Sequence, residues 1–464
     1  MRRLSIAKSP AEIARANLND YRWLRHDFTW RHAREWLSGL PDEGGLNIGH
    51  EAVDRHVAAG RGGRVAVRCV GRTFAPTQLT YDQLRRQTNR FANVLQHLGV
   101  GPGDAVVSLL GHGLAEYVVG LGTLKHTATL IPLPLGAGLR ELRQAAAARA
   151  RVMVTTVDVY NAVVAPVRDR LPGLRHVLIA GIGRLPAGTW RLSDLVSDQP
   201  DAYRIPATAP ERPAVLHLTD DGEVCHQHGT VLGLYVSALY GLDLQPDDVF
   251  WCTAEPGLPT ATWYGLIGAL THGITVVTDA GRPDSRRRLR ILRDEHVTVW
   301  HPSVAALRAL MLPGVTDGVA LPALRHLASF GGPLPPEVVL WSRDMLGHPV
   351  HETWSQPETG GIVFANFAGL EVRPGSAGLP MPGVRAAVVA QDRGGTGAAV
   401  PPRAVDLLDK PNEIGEVAIR AEWPSLCGGK QRDASALRVV DGWYLTGERA
   451  ARDADGYFWF TGEG

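Results

Sequence analysis

His351-Glu-Thr-Trp-Ser-Gln-Pro-Glu-Thr-Gly-Gly361 gathers hydroxyl, amide, indole and carboxylate side chains directly after a strand-like start. Hydroxyl and amide groups in such a run can hold a nucleotide, and Glu358 can hold Mg²⁺ between phosphates. Upstream, Ser329-Phe-Gly-Gly-Pro-Leu-Pro-Pro-Glu337 ends another strand in Gly-Gly-Pro and opens a helix near Pro335. Ligands of parallel sheets bind at the carboxyl ends of strands, where glycines let the backbone approach a flat base. Alone, the Gly-Gly-Pro stretch reads first as an ordinary strand-to-helix turn, and the other stretch is a weak signal too.

The surrounding chain alternates strands with helices. Strand-like runs fall at 105–110, 129–133, 152–156, 176–180, 214–218, 249–253, 274–278, 297–300 and 326–330, with helix-like segments between most of them. That pattern predicts parallel sheets covered on both faces. Thr80-Tyr-Asp-Gln83 has the form of a capping box. Leu84, Phe91, Leu95 and Leu98 follow at helical spacing until Gly99. Beyond 370 the texture changes to short alternating strands (384–390, 415–420, 442–446, 457–461) parted by Gly and Pro, which predicts a small β-barrel-like lobe. Gly394–Gly397 and Pro401-Pro402 read as surface loops. The expected organisation is an N-terminal extension over 1–45, anchored by Tyr21, Trp23, Trp30 and Trp36, then α/β lobes over 46–370 and the β lobe over 371–464.

Bulk properties narrow the function classes. The 464 residues suffice for two or three domains, with 45% hydrophobic and 20% charged residues, as in ordinary globular proteins. A net charge of +1 and the lack of a basic stripe interleaved with aromatics argue against nucleic acid as a partner. Cys69, Cys225, Cys252 and Cys427 are few and widely spaced, which fits a reducing cytosol. No apolar run follows Met1-Arg-Arg-Leu-Ser-Ile6, and no window is apolar enough to span a membrane, so a cytoplasmic location without membrane partners is expected.

Further ordered segments are Leu79–Leu84, Asn89-Arg-Phe-Ala-Asn93, Trp251-Cys-Thr-Ala-Glu-Pro-Gly257, Ser376–Gly383, Asn412–Ile419 and Trp443–Trp459. With the two opening stretches, they give a chain that resembles the AMP-forming acyl-CoA synthetases of the adenylate-forming superfamily, above all in their bacterial acetyl-CoA synthetase form. The resemblance runs from about residue 46 to the last residue. It implies two α/β lobes plus a β-barrel-like lobe. It also implies a reaction in which a carboxylic acid and ATP give an acyl-adenylate and pyrophosphate, and the acyl group then passes to the thiol of coenzyme A. By resemblance, Gly331, Gly332 and Pro333 line the adenine site, and Glu352, Thr353, Trp354, Ser355, Gln356 and Pro357 continue it toward the α-phosphate. Glu358 is then the magnesium carboxylate, and Glu448 stands where the family grips the ribose with an Asp. Thr260 falls at a position touching coenzyme A, and Leu258, Pro259 and Ser355 shape the acyl pocket. Acetate-specific members carry tryptophans at the Leu258 and Ser355 positions, so an acyl group longer than acetate is expected here.

The pattern breaks in four places. The family's phosphate loop, T-S-G-[ST]-T-G-x-P-K-G, surrounds phosphates with glycines, hydroxyls and a lysine. Here Thr219, Asp220, Asp221, Gly222 and Glu223 stand in its place, about five residues shorter and without the lysine. Leu216-His217 before it and His226-Gln-His228 after it match. Glu448 sets its carboxylate about 1.5 Å beyond the family's Asp. At the end, Gly462-Glu463-Gly464 replaces Gly-Arg-x-Asp-Asp, and the family's C-terminal domain of roughly 100 residues is expected to be absent.

Other constellations are bland. Cys225, His226 and His228 lack the second matched pair of a metal site, Cys252 reads as a core residue, and Gly331-Gly332 lacks the third glycine of a dinucleotide fingerprint. Three functions fit: an acyl-CoA synthetase-like enzyme whose missing domain another chain supplies, a non-catalytic binder of an adenylate, acid or acyl-CoA that regulates or scaffolds a partner, or an ATP-independent acyl transfer.

Overall fold

The Thr80 hydroxyl takes the amide of Gln83 at 3.2 Å, and the Gln83 side chain takes the amide of Thr80 at 2.9 Å, so the helix Tyr81–His97 starts on the capping box its sequence announces. Leu84, Phe91 and Leu95 are fully buried, and Gly99 leaves the helix in a left-handed conformation, φ +70°. The computed structural model describes residues 4–282, 284–390, 405–427 and 437–461. The loops at Gly394–Gly397 and Pro401-Pro402 and the terminal Gly462-Glu463-Gly464 lie outside these residues.

The chain divides into two compact units. One comprises Leu37–Tyr235 and Pro246–Asp284. It holds a seven-stranded sheet in the order Trp190–Arg191, His176–Ala180, Ala150–Thr156, Ala105–Leu109, Thr129–Pro132, Pro213–Thr219, Gly222–Gln227. All neighbours run parallel except the last pair. Val249–Cys252, Thr275–Asp279 and Val65–Val70 form a further parallel set in this unit, with Pro76–Thr80 antiparallel on its flank. The inner strands are almost wholly buried, as parallel strands covered on both faces must be, while the edge strands Pro76–Thr80 and Trp190–Arg191 are largely exposed.

The other unit comprises Met1–Trp36, Val236–Gln245 and Ser285–Gly464. Val299–His301, His326–Ser329 and His351–Trp354 are parallel neighbours, and Phe364–Ala365 and Leu379–Pro380 continue them antiparallel. The short strands expected beyond 370 form a five-stranded antiparallel half-barrel: Ala386–Val389, Ile414–Arg420, Trp443–Arg452 and Val439–Val440, with Phe458–Phe460 on Trp443–Arg452.

The N-terminal stretch is pinned within this unit. Ile6 pairs with Val372, and the Asn17 side-chain amide donates to the carbonyls of Leu239 and Leu244 at 3.0 and 2.9 Å. The Trp30 indole donates to Gly383 O at 3.2 Å and meets Trp423 edge-on at 5.3 Å. Among the described residues no helix is long and apolar enough to cross a membrane.

Candidate functional site

Ser329 and Glu352 face each other in register on adjacent parallel strands, so the segments after them leave the sheet side by side. Gly331 and Gly332 take φ +79° and +117°, values that side chains with a Cβ adopt only under strain. A Cβ at either would meet no atom within 4 Å, so this turn has open space beside it, as a flat base requires. Pro333 is exposed, Leu334 returns to the core, and Pro335 caps the helix Pro336–Leu346.

Glu352 and Thr353 are buried beneath this turn's strand. The Thr353 hydroxyl donates to Ser329 O at 2.6 Å. The Glu352 carboxyl accepts the backbone amide of Leu334, tying the glycine turn to the next strand, and its Oε2 is buried without a partner. Burial pushes its pKa up to about 8, against the pull of that amide. A carboxyl raised above its unfolded value keeps a proton in the folded state that the unfolded chain releases above about pH 4.5, so this group lowers stability as pH rises from about 4.5 to about 8. The neutral variant Glu352→Gln is therefore expected to be more stable than the parent at pH 8, by on the order of 3 kcal/mol, with the gain vanishing toward pH 4.5. Urea denaturation at both pH values checks this, and an equal effect at both refutes it.

Beyond the strand, Trp354, Gln356 and Glu448 come together. Glu448 Oε2 accepts the Trp354 indole N–H at 3.1 Å, and its Oε1 accepts Gln356 Nε2 at 2.8 Å. Tyr444 donates its hydroxyl to Gln356 Oε1 at 2.9 Å. The Trp354 ring stacks on Phe460 at 5.1 Å. Burial raises the Tyr444 hydroxyl pKa, and the nearby Glu358 and Glu448 carboxylates raise it further. Ser355 is exposed, while Pro357 and Glu358 are half-buried, and Glu358 O accepts the amide of Cys427 at 2.8 Å. Tyr444 and Phe460 had not been singled out from sequence. Tyr444 lies four residues before Glu448 in the same strand, Trp443–Arg452, where alternation alone does not tell a ligand-facing aromatic from a core one.

In the other unit, the segment standing for the phosphate loop is a tight β-hairpin. Thr219 pairs with Gly222, Leu218 with Glu223 and His217 with Val224. Asp220 and Asp221 are the exposed turn, closed by Gly222 at φ +127° and by the Thr219 hydroxyl donating to Gly222 O at 2.9 Å. Asp220 pairs with Arg140 at 3.0 Å, and Glu223 is buried on the second strand. The sequence implies a shortened loop here with three carboxylates toward phosphate. The hairpin puts two of them at an exposed tip and the third in the sheet.

His217 and His226 flank Trp263 edge-on at 4.9 and 4.8 Å, His217 Nε2 lies 3.1 Å from Thr262 Oγ1, and His228 Nδ1 accepts the amide of Ile48. These histidines pack the core. No group of three His, Cys, Asp or Glu among the described residues could hold a metal ion, so a Mg²⁺ at Glu358 would take its remaining ligands from water and phosphate oxygens. Leu258 is exposed, and Pro259 and Thr260 are half-buried at the start of the helical segment Ala261–Gly268. A cavity of about 10 Å³ lies beside Gly257, lined in part by Ser108, Glu116 and Thr262. It has room for about one water.

The AMP-binding enzyme family matches residues 54–426. The acetyl-coenzyme A synthetase of Bacillus subtilis is 30% identical over 478 residues, covering 99% of this chain and 79% of its own. That of Methanothrix thermoacetophila is 30% identical over 469 residues, covering 92% and 68%. The crystal structure of Brucella canis acyl-CoA synthetase superposes with a TM-score of 0.84 at 26% identity, covering 96% of this chain and 79% of that one. Matched over most of its length by this family and by these relatives, the chain belongs to the AMP-binding enzyme family of acyl- and acetyl-CoA synthetases.

Proposed function

We propose that this chain is an acyl-CoA synthetase-type protein that keeps the adenylate-holding half of the site and has lost the grip on triphosphate. The family uses ATP, Mg²⁺ and coenzyme A. The open space at Gly331 and Gly332, continued by Trp354, Ser355, Gln356 and Pro357, fits the adenine end of such a ligand. Thr260 would meet coenzyme A, and Leu258 and Pro259 would bound an acyl group larger than acetyl. Glu358 would be the protein's carboxylate toward Mg²⁺, which when bound would neutralise phosphate charge.

The hairpin at Thr219–Gly222 carries the reading. A phosphate cradle needs several backbone N–H groups converging from a glycine-rich loop and a cation, whereas the N–H groups flanking this turn lie in a strand ladder and the tip is acidic. The residues do not fit a triphosphate. The protein then binds adenylates and acyl-CoA and does not activate acids at a synthetase's rate.

Thermal shift with AMP, ATP–Mg²⁺ and acyl-CoA thioesters, alongside pyrophosphate release with acids from acetate to decanoate, tests this. Stabilisation by AMP or an acyl-CoA without matching stabilisation by ATP–Mg²⁺ is expected. Turnover comparable to an intact synthetase overturns it.

A further inference from the structure

We propose that Glu448 serves as a clamp on Trp354 and Gln356 and leaves the sugar hydroxyls of a bound adenylate without a carboxylate partner, so that this chain does not distinguish ribose from deoxyribose. The proposal rests on the adenylate reading above. Both carboxylate oxygens are engaged, Oε1 by Gln356 Nε2 at 2.8 Å and Oε2 by the Trp354 indole at 3.1 Å.

The donors are fixed in turn. Gln356 Nε2 also donates to Thr446 O at 3.0 Å, and Gln356 Oε1 accepts from Tyr444 at 2.9 Å, so its side-chain amide uses both N–H groups and its oxygen. Trp354 is held flat against Phe460 and edge-on to Phe364 at 5.4 Å. The Glu448 amide bonds back to Thr446 Oγ1 at 3.2 Å, which fixes the root of the side chain.

A carboxylate can accept more than two bonds, but a grip on adjacent hydroxyls needs both oxygens presented together. Turning them to a diol would strand an indole N–H and an amide N–H in a half-buried site, which cancels the bonds gained. An aspartate here would fall about 1.5 Å short of Trp354 and Gln356 and so be free for a diol.

Titration calorimetry with AMP, 2′-deoxy-AMP and 2′,3′-dideoxy-AMP tests this on the parent chain and on Glu448→Asp and Glu448→Gln. The parent is expected to bind all three within about twofold, as is Glu448→Gln, whereas Glu448→Asp should prefer AMP over the dideoxy nucleotide by about tenfold or more. A merely structural role would change affinities but not this ratio. A parent preference for AMP of about tenfold that disappears in Glu448→Gln overturns the clamp while leaving the adenylate site standing. Failure of all three nucleotides to bind the parent overturns the adenylate site and the clamp with it.

Discussion

Pyrophosphate release from ATP should run on the order of 10³ to 10⁶ times slower than in a synthetase with an intact phosphate loop. Each charge-assisted bond to phosphate contributes roughly 1.5–3 kcal/mol, and the hairpin removes about three of them with the lysine and the glycine-rich backbone. Arg140 at the tip is exposed and already paired with Asp220, so it does not replace them. Geometry sets the limit more than charge. The double variant Asp220→Asn/Asp221→Asn removes the repulsion but leaves the two-residue turn, and ATP–Mg²⁺ affinity should rise less than about tenfold. Calorimetry of ATP–Mg²⁺ against AMP measures both effects. Micromolar ATP–Mg²⁺ binding by the parent, tighter than AMP and with the γ-phosphate at Asp220-Asp221, would end this account.

Acidification from pH 7 to pH 5 should destabilise the protein strongly. His56 is held down to about 2, and His217, His228, His272 and His301 to about 3, in each case first by burial. Burial also holds His326 and His351 well below the usual imidazole range. The unfolded chain takes up protons on these side chains as pH falls through about 6.5 and the folded state refuses them, so their contribution to stability is lost on the acid side. The buried carboxyls Glu116 and Glu352, both pushed up to about 8, oppose this, because the folded state already holds their protons. The five imidazoles held to about 2 or 3 outweigh the two carboxyls at about 1.4 kcal/mol per group and pH unit, a net loss on the order of 4 kcal/mol by pH 5 against a usual total stability of about 5–15 kcal/mol, and His326 and His351 act in the same direction. Melting temperature and tryptophan fluorescence across this range measure it. A melting point that stays within about 5 °C down to pH 5 counts against it.

What the sequence revealed follows from range. Thr80 and Gln83 are three residues apart, so their mutual caps could be read directly, and the Gly331-Gly332 turn could be read because only glycine is at ease in its backbone conformation. The contacts of Asn89 and Asn93 in Asn89-Arg-Phe-Ala-Asn93 are invisible in one dimension. Asn89 takes the ammonium of the fully buried Lys125 at 2.9 Å, and Asn93 donates to the carbonyls of Pro200 and Ala202 at 2.8 and 3.0 Å. The departure from the phosphate-loop pattern was legible, but the hairpin that stands there was not, because Glu223, His226 and Gln227 obscure the alternation of the strand Gly222–Gln227. The Glu448 clamp was out of reach altogether, since its donors lie more than ninety positions away along the chain.

The docking of the N-terminal stretch against Val372 and Gly383 also bears on biosynthesis. Ser5 meets Glu371 across 366 positions, and the unit that contains both is assembled from three separate stretches of chain. A ribosome adding about 5–20 residues per second needs tens of seconds to supply that partner. Throughout that interval the nascent chain carries Trp30 without its partners Gly383 and Trp423 while Leu37–Tyr235 emerges. Expression should therefore depend on holdase chaperones more than final stability alone would suggest, and slowing translation should not relieve that dependence.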